Sequence, residues 1–246
     1  MFGKTYILGV GITTAKEKKI LEYILDELGK PKGERRKIII FTPNPEQISA
    51  ANKDSSLKEL LNQAQISLPD GAGVVIGAKL LGRPIYARIT GVDFMQKLVK
   101  SVSNQPVVTG FLGSQPRVAK ECAECLQKLW PKFRVGYASE LYDKEKLIHS
   151  DIDILFVAFG FPKQEKWILK HKREIPATVV MAVGGAFDFI SGGVPRAPKI
   201  VRKFGLEWIF RLIIQPWRIF RHVRILHFSG LIFARWLSDR LKISQK

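Results

Sequence analysis

The sequence predicts an α/β fold: a Rossmann-like, mostly parallel sheet of about six strands flanked by helices, continued by a basic helical C-terminal appendage. Three observations predict it. Short apolar runs alternate with amphipathic stretches over residues 1–195. Several of those runs are apolar at every position, as in strands covered on both faces. After Gly192-Gly193-Val194-Pro195 the strand-like runs stop and a basic, aromatic-rich segment occupies 196–246.

In chain order the strands are expected at Tyr6–Val10, Lys37–Phe41, Val107–Phe111, Phe133–Val135, Ile152–Ala158 and Thr178–Val183. Helical spacing marks Ala15–Leu28, Phe94–Val102 and Val118–Leu129, and Pro162 opens a shorter helix over Lys163–His171. Ligands of such sheets bind in the loops after the strands' carboxyl ends, so the chemistry is sought there.

Composition narrows the class. The 246 residues carry 46% hydrophobic side chains, which excludes a disordered chain, and a net charge of +18, which points to a polyanionic partner. Only Cys122 and Cys125 are present, on one expected helix face; that excludes a disulfide scaffold. The N-terminus lacks the pattern of a signal peptide, and no stretch reaches the length of a spanning helix, so a cytoplasmic protein is expected. The tail holds 12 basic residues against Glu207 and Asp239, a net of +10, with Trp208, Trp217 and Trp236 among them.

Four loops can carry chemistry. In Thr42-Pro43-Asn44-Pro45, Asn44 suits a helix N-cap and Pro45 the first turn, leaving Thr42 at a strand's carboxyl end. In Pro69-Asp70-Gly71-Ala72-Gly73, Asp70 can serve as a general base, a metal ligand or a helix cap. Gly160-Phe161-Pro162-Lys163-Gln164-Glu165 opens a helix whose N–H groups attract anions, and Gly184-Gly185-Ala186-Phe187-Asp188 admits a phosphate or base to the backbone. Arg83 and Arg88 supply forked donors for phosphate or carboxylate. Gly9-Val10-Gly11 is not a dinucleotide fingerprint, because Thr14 stands where the third glycine belongs. Asp151 and Asp153 precede their strand, at the edge of the sheet away from such sites.

Taken in order, Thr42-Pro43-Asn44, Pro69 to Val74, Arg88 with Thr90-Gly91-Val92-Asp93, Gly160 to Glu165, Gly184 to Gly192 and Arg196-Ala197-Pro198 resemble the motifs of the WecG/TagA/CpsF glycosyltransferases. Gly205 to Leu212 is similar to that family's C-terminal segment. Gly113-Ser114 departs from the two glycines usual there, and Arg134–Leu147 fits loosely. The resemblance implies an inverting, metal-independent glycosyltransferase without a cofactor. It would move N-acetylmannosamine from a UDP-sugar to a polyprenyl-diphosphate-linked N-acetylglucosamine, in teichoic acid, common antigen or capsule synthesis. By position Asp70 matches the base, and Thr42, Asn44, Arg88 and Gln164 the other catalytic polar residues. The residues then expected on substrate are Gly71, Gly73, Asp93, Gly113, Gly160, Pro162, Gly184, Gly185, Phe187 and Asp188, with Arg211 and Arg218 from the tail. A homo-oligomer is allowed.

Such an acceptor stays in the bilayer, so the tail is expected to bind the anionic inner face of the cell membrane peripherally and to help complete the site. Trp217, Phe220 and Val223 can share a helix face with Ile213, while Arg221 and Arg224 continue a basic stripe; Pro216 divides the tail into at least two short helices. Two other readings stand beside this one. A different UDP-sugar, such as UDP-glucose or a UDP-uronate, could be the donor. A nucleic-acid-binding α/β protein would suit the charge, but helix-turn-helix, RNP and finger patterns are absent and no nucleic-acid partner is expected.

Overall fold

A computed structural model describes residues 2–83, 85–198, 200–201, 205, 207–214 and 219–244; the side chains of 211, 219–222 and 242–244 lie outside the description. The elements are β1 (Lys4–Ile7), β2 (Val10–Thr13), α1 (Glu17–Gly29), β3 (Ile38–Phe41), α2 (Pro45–Lys53), α3 (Ser55–Asn62), β4 (Ile66–Ser67), α4 (Ala72–Leu80), α5 (Gly91–Val102) and β5 (Val108–Gly113). There follow α6 (Val118–Leu129), β6 (Arg134–Ser139), α7 (Lys144–Ile148), β7 (Ile154–Ala158), α8 (Lys163–His171), β8 (Val179–Ala182), α9 (Ala186–Ile190), α10 (Glu207–Ile214) and α11 (Ile219–Ser244).

Six strands form one parallel sheet in the order β4-β3-β8-β7-β5-β6. Both faces are covered, which explains the unbroken apolar runs. Ile38 and Ile40 of β3 enter a layer with α1, α5, α6 and α9, whereas Ile39 and Phe41 enter a layer with α2, α3, α4 and α8. Cys122 is buried on α6 with Cys125 half-buried beside it, and burial pushes the Cys122 thiol up, away from ionisation.

Two expectations need correction. The run Tyr6–Val10 is not one strand: Leu8 (φ 49°) and Gly9 (φ 83°) turn the chain, so β1 and β2 form a separate antiparallel hairpin. Apolar residues on both sides of a two-residue turn read as a single run. The tail holds a helix on each side of residues 215–218, as Pro216 implied, but the second is not short, since α11 continues for 26 residues. No proline follows 216, and a lone Gly230 is tolerated inside a helix.

The inner face of α11 belongs to the second layer. Phe228 and Ile232 are buried there against α4, whose glycines permit the approach: a Cβ at Gly77 would stand 3.1 Å from Ile232 Cδ1. Ser49 of α2 and His227 of α11 share a hydrogen bond at 2.7 Å. Part of the tail is therefore packed on the α/β unit.

Candidate active site

The loops after β3, β4, β5, β7 and β8 converge on one cleft of about 930 Å³ at the carboxyl edge of the sheet. Adjacent strands β3 and β8 bring the first and last of these loops together, and the Thr42 hydroxyl donates to the Ala182 carbonyl at 3.5 Å. Asn44 caps α2, its Oδ1 accepting from the Gln47 N–H at 3.0 Å, and Pro45 fills the first turn. The cap turns the free N–H groups of α2 toward the cleft.

Asp70 is held by backbone. Its N–H donates to the Pro43 carbonyl (3.1 Å), and its Oδ2 accepts from the Gly91 N–H (3.3 Å) at the start of α5. Gly91 allows this approach: a Cβ there would meet Thr42 Cγ2 at 3.2 Å and Asp70 Oδ2 at 3.7 Å. The carboxylate is thus fixed at the mouth of α4, whose N-cap Gly71 takes φ 94°.

Gln164 is almost wholly buried, yet it also lines the cleft. Its Oε1 accepts from the Gly184 N–H (3.0 Å), and its Nε2 donates to Glu165 Oε1 (2.9 Å). Glu165 is fully buried. Its Oε2 has no hydrogen-bond partner, and burial raises its carboxyl to about 7 against the weaker opposing pull of the Gln164 bond. Asp188 lines the cleft as well, where its Oδ1 accepts from the Ser114 hydroxyl at 3.3 Å. Arg224 reaches the same cleft from α11.

A carboxylate, a glycine-walled loop and helix N-termini facing one cleft suit transfer of a group from an anionic donor. Residues 5–242 match the model of the "Glycosyl transferase WecG/TagA/CpsF family". The chain belongs to that family. It is a glycosyltransferase. It is 35% identical over 187 residues to the N-acetylglucosaminyldiphosphoundecaprenol N-acetyl-beta-D-mannosaminyltransferase of Bacillus spizizenii, covering 73% of each chain. It is 36% identical over 194 residues to the protein of the same name from Staphylococcus aureus strain NCTC 8325, covering 75% of each, and 35% identical over 187 residues to that of Bacillus subtilis strain 168.

Of the residues that the family motifs single out, Thr42, Asn44, Asp70, Gly160, Gln164, Gly184, Gly185 and Asp188 line the cleft. Others shape it from outside. Gly71 and Gly73 pack on Pro45; Gly113 (φ 105°) abuts Phe159; Pro162 follows a cis peptide at the start of α8. Phe187, expected on substrate, is instead core: it is fully buried with its ring 5.6 Å from that of Phe111, because the second residue of α9 turns inward against the sheet. Thr90 caps α5, its Oγ1 accepting from the Asp93 N–H and its hydroxyl donating to Asp93 Oδ2, and Asp93 holds Arg196 at 2.8 Å. Arg88 and Asp93 line a second cavity of about 470 Å³ with Lys97, Lys100 and Trp130.

Arg224, placed by the sequence on the membrane stripe, is a cleft residue here. Trp217 and Arg218 lie outside the described residues, as do the side chains of Arg211, Phe220 and Arg221. Trp167 was missed. It lines the cleft one turn after Gln164, a spacing visible in the sequence. Asp151 and Asp153 sit at the amino end of β7, where Asp153 accepts from Arg35 (2.6 Å) and the Val108 N–H (2.7 Å). Among the described residues no group of three or more His, Cys, Asp or Glu could hold a metal, and no helix is long and apolar enough to cross a membrane.

Proposed function

We propose that this glycosyltransferase moves N-acetylmannosamine from UDP to an N-acetylglucosamine carried on a polyprenyl diphosphate, inverting the anomeric centre without a metal. The observation that supports the reading is that the backbone-held Asp70 carboxylate and the Gln164–Gly184 pair line one cleft. The names of the relatives supply the acceptor and the sugar.

In this reading the sugar nucleotide lies along the Gly184–Asp188 loop. Asp70 takes the proton of the acceptor hydroxyl as its oxygen attacks the anomeric carbon, and the bond to the UDP oxygen breaks on the other face. Negative charge grows on the leaving diphosphate. The N-termini of α2 and α8 and the guanidinium of Arg224 meet it, so the tail contributes to the chemistry.

The acceptor's chain requires the enzyme to work at the inner membrane surface. The outer side of α11 suits that surface. Leu226, Phe233, Leu237 and Leu241 are exposed along one stripe, opposite the buried Phe228 and Ile232. Purified protein incubated with a short-chain lipid-diphosphate N-acetylglucosamine and UDP-N-acetylmannosamine, UDP-N-acetylglucosamine, UDP-glucose or a UDP-uronate tests the proposal. UDP release only with N-acetylmannosamine, and a β-linked product by NMR, are expected. Turnover with another donor, or a product of retained configuration, would overturn it.

A further inference from the structure

We infer that α4 of the α/β unit is itself a membrane-seating element: its outward face, Ile76 and Leu80, enters the headgroup layer of an anionic bilayer beside α11. This rests on the membrane reading above and extends it from the tail to the helix that begins two residues after Asp70.

The contacts of α4 fix its orientation. Val74 and Ala78 face the core, and Gly73 and Gly77 face Phe228 and Ile232 of α11. Ile76 and Leu80, four residues apart on the remaining side, are 59% and 50% exposed. Both helices turn an apolar outer face away from the same core layer: Ile76 and Leu80 on α4, and the stripe of Leu226, Phe233 and Leu237 on α11. Large apolar side chains in such a patch call for an occupant.

Charge selects the occupant. From Gly71 to Val92 the chain has no acidic residue, while Lys79 and Arg83 are exposed around Leu80 and Tyr86 is an exposed aromatic. Apolar side chains ringed by cations and a tyrosine match an interface of anionic lipid. Geometry gives the face a purpose. Ile76 lies roughly 6 Å along the axis from Ala72, two residues after Asp70. Seating α4 therefore sets the base at the height of a lipid-linked diphosphate sugar.

The test uses the full chain and vesicles of phosphatidylcholine with about 30% phosphatidylglycerol, an anionic surface. The double variant Ile76→Asp/Leu80→Asp should bind at least tenfold more weakly than wild type. The charge-matched control Leu129→Asp/Leu141→Asp, at exposed positions of α6 and the loop after β6, should stay within twofold. Equal loss in both variants, or no loss in the first, overturns the inference and leaves the tail reading standing. Wild type that fails to bind overturns both. A variant that changes oligomeric state while binding vesicles normally would assign the face to a second copy of the chain, and also overturns it. Should the aspartates unfold the protein, Ile76→Trp serves: its added fluorescence must be quenched by bromolipid vesicles, and absence of quenching refutes the seating.

Discussion

Replacing Glu165 by glutamine should stabilise the protein, and more so at alkaline pH. The carboxyl is fully buried, has one oxygen without a partner, and is raised from 4.5 to about 7. That displacement corresponds to about 3 kcal/mol favouring the protonated form in the folded state. The folded chain thus binds more protons than the unfolded chain between about pH 4.5 and 7. Stability falls as pH rises through that window, and above it the full cost of an ionised buried carboxylate is present. Glutamine is neutral throughout and its amide oxygen can still accept from Gln164 Nε2. Glu165→Gln should therefore exceed wild type by about 3 kcal/mol at pH 8 and by little at pH 4.5, near the unfolded value. For a chain of this size that is roughly 6–12 °C in melting temperature at the higher pH. Thermal unfolding followed by circular dichroism at several values between pH 4.5 and 8 measures it. An advantage that does not shrink on acidification, or a variant less stable than wild type at pH 8, would refute the reasoning. The same variant should bind UDP more weakly. At pH 8 the ionised carboxylate only accepts, so it holds the Gln164 amide with its oxygen toward Gly184, whereas a glutamine can present either group.

Asp70→Asn should lower kcat by about 10²–10⁴ with UDP binding by calorimetry close to normal; wild-type turnover would move the base elsewhere. Activity should survive EDTA, and strict dependence on an added divalent ion would end the metal-free mechanism. Gly73→Ala should destabilise by about 1–3 kcal/mol in urea titrations and reduce turnover, because the new methyl would stand 2.8 Å from Pro45 Cγ and part α4 from α2. Phe228→Ala should cost about 3–5 kcal/mol and open α11 to protease; an unchanged digestion pattern would contradict its role in the second core layer.

The sheet was legible because strands apolar at every position have few alternatives, and the alternation of Ile38, Ile39, Ile40 and Phe41 between two layers follows from strand geometry alone. The two-residue β4 was not among the expected strands, because an apolar run that short does not stand out from a loop. The cleft was legible wherever a residue type carries its own signal: the proline and asparagine of a capped turn, the glycines, the lone acid at Asp70. Arg224 was not, since the rotation of α11 about its axis is fixed by Phe228 and Ile232 meeting α4, a tertiary contact that periodicity does not rank above the opposite stripe of Leu226, Phe233 and Leu237. Glu165 looks in sequence like an ordinary acidic residue in a helix's first turn; its burial depends on what covers α8. Phe187 sits among cleft glycines in sequence but turns its ring the other way.

The pairing of β3 with β8 joins Ile40 to Met181 across most of the chain. Closing so long a loop is entropically costly, and contacts of this separation slow folding. Thr42, Asn44 and Asp70 are all synthesised before the strand that leads to Gly184 exists. An N-terminal fragment thus carries Asp70 and the α2 turn without the Gln164 and Gly184 side of the cleft, and a nascent chain cannot assemble the cleft until β8 has been made. Cutting the chain in an exposed loop between these halves, such as the one at Leu141, leaves each fragment with part of the cleft, so activity recovered on mixing would report directly on docking of the β8–β7 pair between β3 and β5.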